Sequence, residues 1–236
     1  MQPIIKILTS SGAGSRRQMA DAIKKGRVAV NGKIIESFLH PVDTESDSIT
    51  VNGKYIDIRN KPLTYLMLHK PKGITSTTRD DRNSATVLDI IPEKYHDLRL
   101  YPVGRLDKDS TGLILLTDDG ELTNRLTHPR FEREKEYLVQ IEGALEPEEK
   151  RKLEQGLELE DGLTGEAKLR VVDMPPFNYA IILREGKKRQ IRRMFAALGH
   201  RVLELKRIRI SGLRLGSLAE GCTRELTPDE IKALKK

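Results

Sequence analysis

The chain has 236 residues, enough for one large or two modest domains with a real hydrophobic core. Its one cysteine, Cys222, excludes an intrachain disulfide framework and a cysteine-based zinc site, which suits a reducing compartment. Lys and Arg number 42 against 35 Asp and Glu, a formal charge of +7, and the excess gathers at positions 24–27, 187–193 and 206–209, as expected of a surface that meets a polyanion.

The first residues carry no basic stretch followed by a long apolar run, so no signal peptide is expected. No apolar run approaches the roughly 18 residues of a membrane span, so neither a membrane partner nor a location outside the cytoplasm is expected. Ile4, Ile5 and Leu8 fall at helical spacing, and Gly12 ends that turn. Ser15 followed by Gln18 is a capping-box pattern opening a second helix, whose apolar face is Met19, Ala22 and Ile23 and whose end is Gly26. Positions 28–30 are strand-like, Asn31-Gly32 is a strong hairpin signal, and Lys33 starts the return strand. A further strand is expected at 47–51, before a second Asn-Gly pair. The first domain is thus placed at 1–53, a linker at 54–62 and a larger domain at 63–236.

In the larger domain, strands are expected at 65–68, 112–116, 136–141, 167–172, 179–183 and 202–210. Helices are expected at 86–91, 120–127, 147–155 and 189–198. Strands and helices do not alternate strictly, which predicts an α+β fold with a mixed, largely antiparallel sheet flanked by helices.

The run Gly104-Arg105-Leu106-Asp107-Lys108-Asp109-Ser110-Thr111-Gly112 stands directly before the apolar stretch 113–116. A carboxylate on a loop anchored to a buried strand is a rigidly supported reactive group. Three chemistries overlap here. A calcium loop fits poorly, because Thr111 and Asp118 replace the usual ligands and no amphipathic helix precedes Asp107. An Asp-x-Asp-x-Thr phosphatase needs an apolar strand running straight into the first Asp, and Gly104-Arg105 interrupts it. The bland alternative is a helix or strand cap with two solvated aspartates.

The third chemistry rests on resemblance. The run from Gly104 to Gly120 resembles the catalytic motif of the pseudouridine synthases, in the rRNA-modifying branch that carries an extra N-terminal RNA-binding domain. Other motifs follow in that family's order. They are Lys70-Pro71-Lys72-Gly73, Lys135-Glu136-Tyr137, the basic stretch Arg184 to Met194, and Val202-x-x-Leu205-x-Arg207-x-x-Ile210. The helix-helix-hairpin pattern of the first 53 residues resembles the RNA-binding domain of the ribosomal protein S-four.

The resemblance implies a catalytic Asp107, an active-site Tyr137 stacked on the uracil, and an Arg192 whose charge bridges to Asp107. It also implies a Leu205 wall for the uracil and an Arg105 that fills the space left by a flipped base. Asp107 would either attack the anomeric carbon or remove the adjacent sugar proton. Phosphate contacts are expected from Arg16, Arg17, Lys24, Lys25, Arg27 and Lys33 in the first domain. In the second they are expected from Lys108, Lys187, Lys188, Arg189, Arg193 and Arg207. The isomerisation involves no redox change or phosphate transfer, so no cofactor and no metal are expected. The expected partner is ribosomal RNA, favouring the large subunit, or a subunit assembly intermediate, met by a monomer. A non-catalytic rRNA-binding assembly factor is the rival from a different class.

Overall fold

The computed structural model describes residues 1–58, 62–78 and 84–236. The chain divides into two compact units, Met1–Leu63 and Thr64–Lys236. The first holds β1 (Gln2–Pro3), α1 (Ile4–Ser10), α2 (Arg16–Lys24), β2 (Val28–Val30), β3 (Lys33–Ile34), β4 (Pro41–Val42), β5 (Ile49–Val51) and β6 (Lys54–Ile56). The Ser15 hydroxyl accepts from Gln18 N at 3.1 Å, and the Gln18 carboxamide accepts from Ser15 N at 2.8 Å. This reciprocal cap sets the start of α2. Ile4, Leu8, Met19 and Ile23 pack on Val28, Val30, Ile49 and Val51 of a sheet ordered β3-β2-β5-β6.

Asn31 and Gly32 have φ of 51° and 79°, the paired left-handed values that a two-residue hairpin needs. Asn52 and Gly53 repeat this at 51° and 75°. That second turn corrects the expected linker. Its return strand, β6, pairs with β5, and Ile58 is buried in the same core, so the first unit continues past position 53. Positions 59–61 of the expected linker lie outside the described residues.

The second unit holds β7 (Tyr65–Lys70), β8 (Tyr101–Val103), β9 (Thr111–Thr117), α3 (Gly120–Thr127), β10 (Lys135–Ile141), α4 (Pro147–Gln155), β11 (Glu158–Leu159) and β12 (Gly162–Leu163). β13 (Lys168–Met174), β14 (Phe177–Leu183), α5 (Gln190–Ala197), β15 (Val202–Ile210), β16 (Leu213–Arg214), β17 (Thr223–Glu225) and α6 (Pro228–Lys235) follow. Among the described residues one sheet runs β13-β14-β10-β15-β9-β7-β17, with β16 beside β15 and β8 beside β9. Among the described strands of this sheet, only β15 and β9 pair in parallel. The fold is α+β, with a mixed and mostly antiparallel sheet.

Successive residues of β7 and β9 divide between two cores. Leu66, Leu68, Ile114 and Leu116 join Leu153 of α4 and Ile191, Met194 and Phe195 of α5. Tyr65, Met67, Leu113 and Leu115 join Leu122 and Leu126 of α3 and Leu234 of α6. Helices cover both faces, so the central strands are apolar on every residue rather than on alternate ones. At about 1.5–3 kcal/mol for each buried side chain, these strands form a stiff base for the loops at their ends.

The expected helix at 86–91 is instead a turn. The Asp89 carboxylate accepts from both the backbone N and the hydroxyl of Thr86, at 2.7 and 2.9 Å, which offers the backbone an alternative to helix. β1, β4, β8, β11, β12, β16, β17 and α6 are not among the elements expected from the sequence. β17 is a polar edge strand and lacks the apolar signature of its neighbours. No described helix is long and apolar enough to cross a membrane.

Candidate active site

Asp107 lies on the loop that joins β8 to β9, and its neighbours are held from several sides. Ser110 N donates to Asp107 O at 3.0 Å, closing a tight turn. The Ser76 hydroxyl donates to Leu106 O at 2.9 Å and accepts from Leu106 N at 3.1 Å. Lys70, fully buried at the end of β7, donates from Nζ to Ser110 O at 2.8 Å and Pro71 O at 2.9 Å. Gly73 N donates to Lys108 O at 2.8 Å. The Lys70-Pro71-Lys72-Gly73 motif therefore clamps the Asp107 loop by its backbone. The carboxylate itself stays 30 % exposed.

β10, β15 and β9 bring Tyr137, Arg207 and Gly112 into one row. The register shifts between Glu136 and Tyr137, the kind of irregularity that re-aims side chains beside active sites. Tyr137 is 9 % exposed and Leu205 5 %, and both share a core with Leu106, the residue before Asp107. Gly112 explains the glycine of the motif. A Cβ there would sit 2.2 Å from Arg207 O and 2.6 Å from Arg207 N, and its φ is +107°. Only glycine lets β9 approach β15 this closely.

Among the described residues, the cation paired with Asp107 is Arg189, whose Nη1 lies 3.8 Å from Oδ2. Arg192, expected to bridge to Asp107, instead meets Asp109. Its Nη2 is 3.4 Å from that carboxylate and donates to Asp109 O at 3.2 Å, while Nη1 donates to Val202 O at 2.9 Å. Arg189 also donates twice to the Asp109 carboxylate, at 3.1 Å each. Burial opposes ionisation of Asp109, but the Arg189 hydrogen bonds and the charges of Arg192 and Arg189 outweigh it and hold its carboxyl below the usual range. This role for Asp109 is not among those expected from the sequence. The signal was present in the i, i+3 spacing of Arg189 and Arg192.

Residues 64–197 match the model of the RNA pseudouridylate synthase family, and residues 2–43 match that of the S4 domain. The chain is 41 % identical to the ribosomal large subunit pseudouridine synthase B of Bacillus subtilis, over 100 % of this chain and 96 % of that one. The chain belongs to the RNA pseudouridylate synthase family. It is also 40 % identical to an uncharacterized RNA pseudouridine synthase of Aquifex aeolicus, over 98 % and 95 % of the two chains. A solved pseudouridylate synthase structure superposes with a TM-score of 0.70 at 33 % identity, covering 99 % of this chain and 100 % of that one.

As an RNA-modifying synthase, the protein keeps some of the expected phosphate contacts on its surface and turns others inward. Arg16, Arg17, Lys24, Lys25, Arg27 and Lys33 of the first unit are all exposed, as are Arg105, Lys108 and Lys188 of the second. Arg207 is not a surface cation. It is 2 % exposed, and it donates from Nε to Leu113 O at 2.7 Å and from Nη1 to Arg105 O at 3.4 Å. The strand period hides it. In an extended run, alternate residues face the core, so a basic cluster at 206–209 cannot all face water. Arg209 is likewise taken by Glu136 and Glu134, at 2.8 and 3.2 Å. Lys187 donates to the carbonyls of Gly162 and Leu163 at 3.2 and 2.9 Å, which braces the β11–β12 hairpin. Arg193 makes a two-pronged pair with Asp161, at 2.7 and 2.9 Å, and Arg189 is committed to Asp109. Among the described residues no three His, Cys, Asp or Glu side chains gather where they could hold a metal ion.

Lys70 gives the clamp a pH signature. Burial, opposed by the charges of Asp109 and Asp107, lowers its ammonium from 10.5 to about 8. Between those values the unfolded chain binds the proton and the folded chain has released it, so this group makes stability rise with pH across that window. Denaturant unfolding at pH 7 and pH 9.5 should show this gain in wild type and not in Lys70→Met. A difference between the two proteins that does not change with pH would remove Lys70 as the titrating group.

Proposed function

We propose that this synthase isomerises a specific uridine of large-subunit ribosomal RNA in the cytoplasm, with Asp107 as the reacting carboxylate. The observation that carries the reading is the Asp107 carboxylate itself, open to solvent on a loop whose backbone is clamped by Lys70 and Ser76. The full-length likeness to the Bacillus subtilis large-subunit enzyme supports the substrate class.

The reaction breaks the bond from uracil N1 to the ribose anomeric carbon, turns the base, and joins the anomeric carbon to C5. The proton on C5 is lost and N1 gains one, so the product is an isomer of the substrate. Asp107 opens the sequence by attacking the anomeric carbon or by taking the neighbouring sugar proton. Arg189 supplies a positive charge beside it. Tyr137 stacks on the uracil and serves proton removal at C5, and Leu205 walls the base. Arg192 acts at one remove, by holding Asp109 and hence the turn that carries Asp107.

A base inside structured RNA must be flipped out at a cost of a few kcal/mol. Arg105, exposed on the same loop, fills the vacated space in this reading. The exposed cations of the first unit grip phosphates and set the register without reading sequence. Pseudouridine mapping on unmodified large- and small-subunit rRNA, free and as assembly intermediates, tests the reading. A new pseudouridine in large-subunit rRNA is expected. One in small-subunit rRNA would move the substrate, and none anywhere despite tight binding would leave a non-catalytic assembly factor.

A further inference from the structure

A cleft of about 700 Å³ is lined by Asp109, Arg189 and Arg192, the ion-paired residues next to Asp107, and not by Asp107 itself. We propose that it holds one nucleotide of the RNA strand flanking the target uridine, with Arg201 at its rim gripping that nucleotide's phosphate. This deepens the synthase reading and rests on it.

The volume lies within the roughly 300–1,000 Å³ of pockets that enclose a small organic ligand. Its walls carry four fixed cations, Lys72, Arg189, Arg192 and Arg201, against two carboxylates, Asp109 and Glu204. Both carboxylates are already engaged. Asp109 is held by Arg189 and Arg192, and Glu204 by Lys72 at 2.7 Å. Asp107, 3.8 Å from Arg189, balances the second arginine of that pair, so the one positive charge left over is Arg201, which is exposed with no ion pair among the described residues. Arg192 adds a buried Nε with no hydrogen-bond partner among the described residues. Ala196, Val202 and Leu203 give it an apolar side, and Gly199 and His200 complete the lining. A cationic rim over an apolar wall suits a phosphodiester joined to a sugar and base, and suits a bare anion less well.

The position selects which nucleotide. Arg189 lines the cleft and also stands 3.8 Å from the Asp107 carboxylate. Asp109 lines the cleft two residues along the chain from Asp107. A strand that delivers its uridine to Asp107 therefore passes beside residues that line the cleft. Its neighbouring nucleotide, unstacked when the uridine flips, is the group at hand.

Phosphate-ethylation interference on a large-subunit rRNA transcript tests this with the full-length protein, comparing wild type with Arg201→Ala. Wild type should show interference at one or two phosphates within two nucleotides of the pseudouridine it makes on the same transcript. Arg201→Ala should lose that interference and keep the rest. It should raise the RNA Kd about three- to tenfold and lower the salt slope by about 0.7, the value for one contact to a single strand. Unchanged interference, or a loss only at remote phosphates, would overturn the proposal. If wild type makes no pseudouridine while Arg201→Ala still loses a discrete interference site, the cleft stands as an RNA site and the catalytic reading falls. Matching melting temperatures exclude misfolding of the variant.

Discussion

Asp107→Asn is expected to reduce pseudouridine formation by about 10³-fold or more while changing RNA affinity by less than about threefold. The amide has nearly the shape of the carboxylate, and the hydrogen bonds that hold the loop come from backbone groups and from Lys70 and Ser76. The loop should therefore persist. Asparagine can neither attack the anomeric carbon nor accept the sugar proton. The cations proposed to hold RNA lie elsewhere, and loss of one negative charge does not weaken the hold on a polyanion. Single-turnover rates on the mapped rRNA, beside a binding titration, separate these quantities.

Asp109→Asn is the informative contrast. Arg189 and Arg192 would lose their shared carboxylate, and a small displacement of the turn can cost about 10²-fold. Partial loss at Asp109 and near-complete loss at Asp107 would assign reaction to one and support to the other. Wild-type turnover by Asp107→Asn would remove Asp107 as the reacting group.

Gly112→Ala should be the most destabilising single methyl in the second unit. The new Cβ would meet Arg207 O at 2.2 Å, Arg207 N at 2.6 Å and Arg207 C at 2.9 Å, all backbone of the paired strand. A flexible side chain could swing aside, but a strand at the centre of the sheet cannot. Overpacking of about 1–3 kcal/mol adds to about 1–3 kcal/mol for a left-handed φ of +107°. The sum corresponds to a fall in melting temperature of roughly 10 °C for a domain of this size.

Gly104→Ala controls for backbone strain alone. Its φ is +74°, but its nearest neighbour would be the Thr127 Cγ2 at 3.6 Å, an ordinary contact. It should cost about 1–2 kcal/mol. Equal losses in calorimetry would show that strain, and not the close approach of β9 to β15, governs Gly112.

Local rules made much of the fold readable in advance. The Ser15/Gln18 cap, the two Asn-Gly turns and the extents of α3, α4 and β15 each depend on a few neighbouring residues. Sheet order depends on no local pattern, so β17 escaped notice at a polar edge, and the parallel pairing of β15 with β9 could not be anticipated.

The same division runs through the site. The types and order of residues along the chain pointed to the chemistry proposed for it: a carboxylate in Gly-Arg-Leu-Asp, a tyrosine after Lys-Glu, and arginines on a basic helix. Charge pairing was decided in three dimensions, because an ion pair follows distance, and distances between β9 and α5 are set by how the sheet packs on the helix. Arg192 therefore faces Asp109 rather than Asp107, and Arg189 stands between the two carboxylates. Burial was decided there too. Arg207 counts as a surface cation in any tally of basic residues, yet the alternation of β15 turns it into the core, where it holds the carbonyls of Leu113 and Arg105. Sequence alone determined which groups could react, and the packing of strands and helices determined which of them meet.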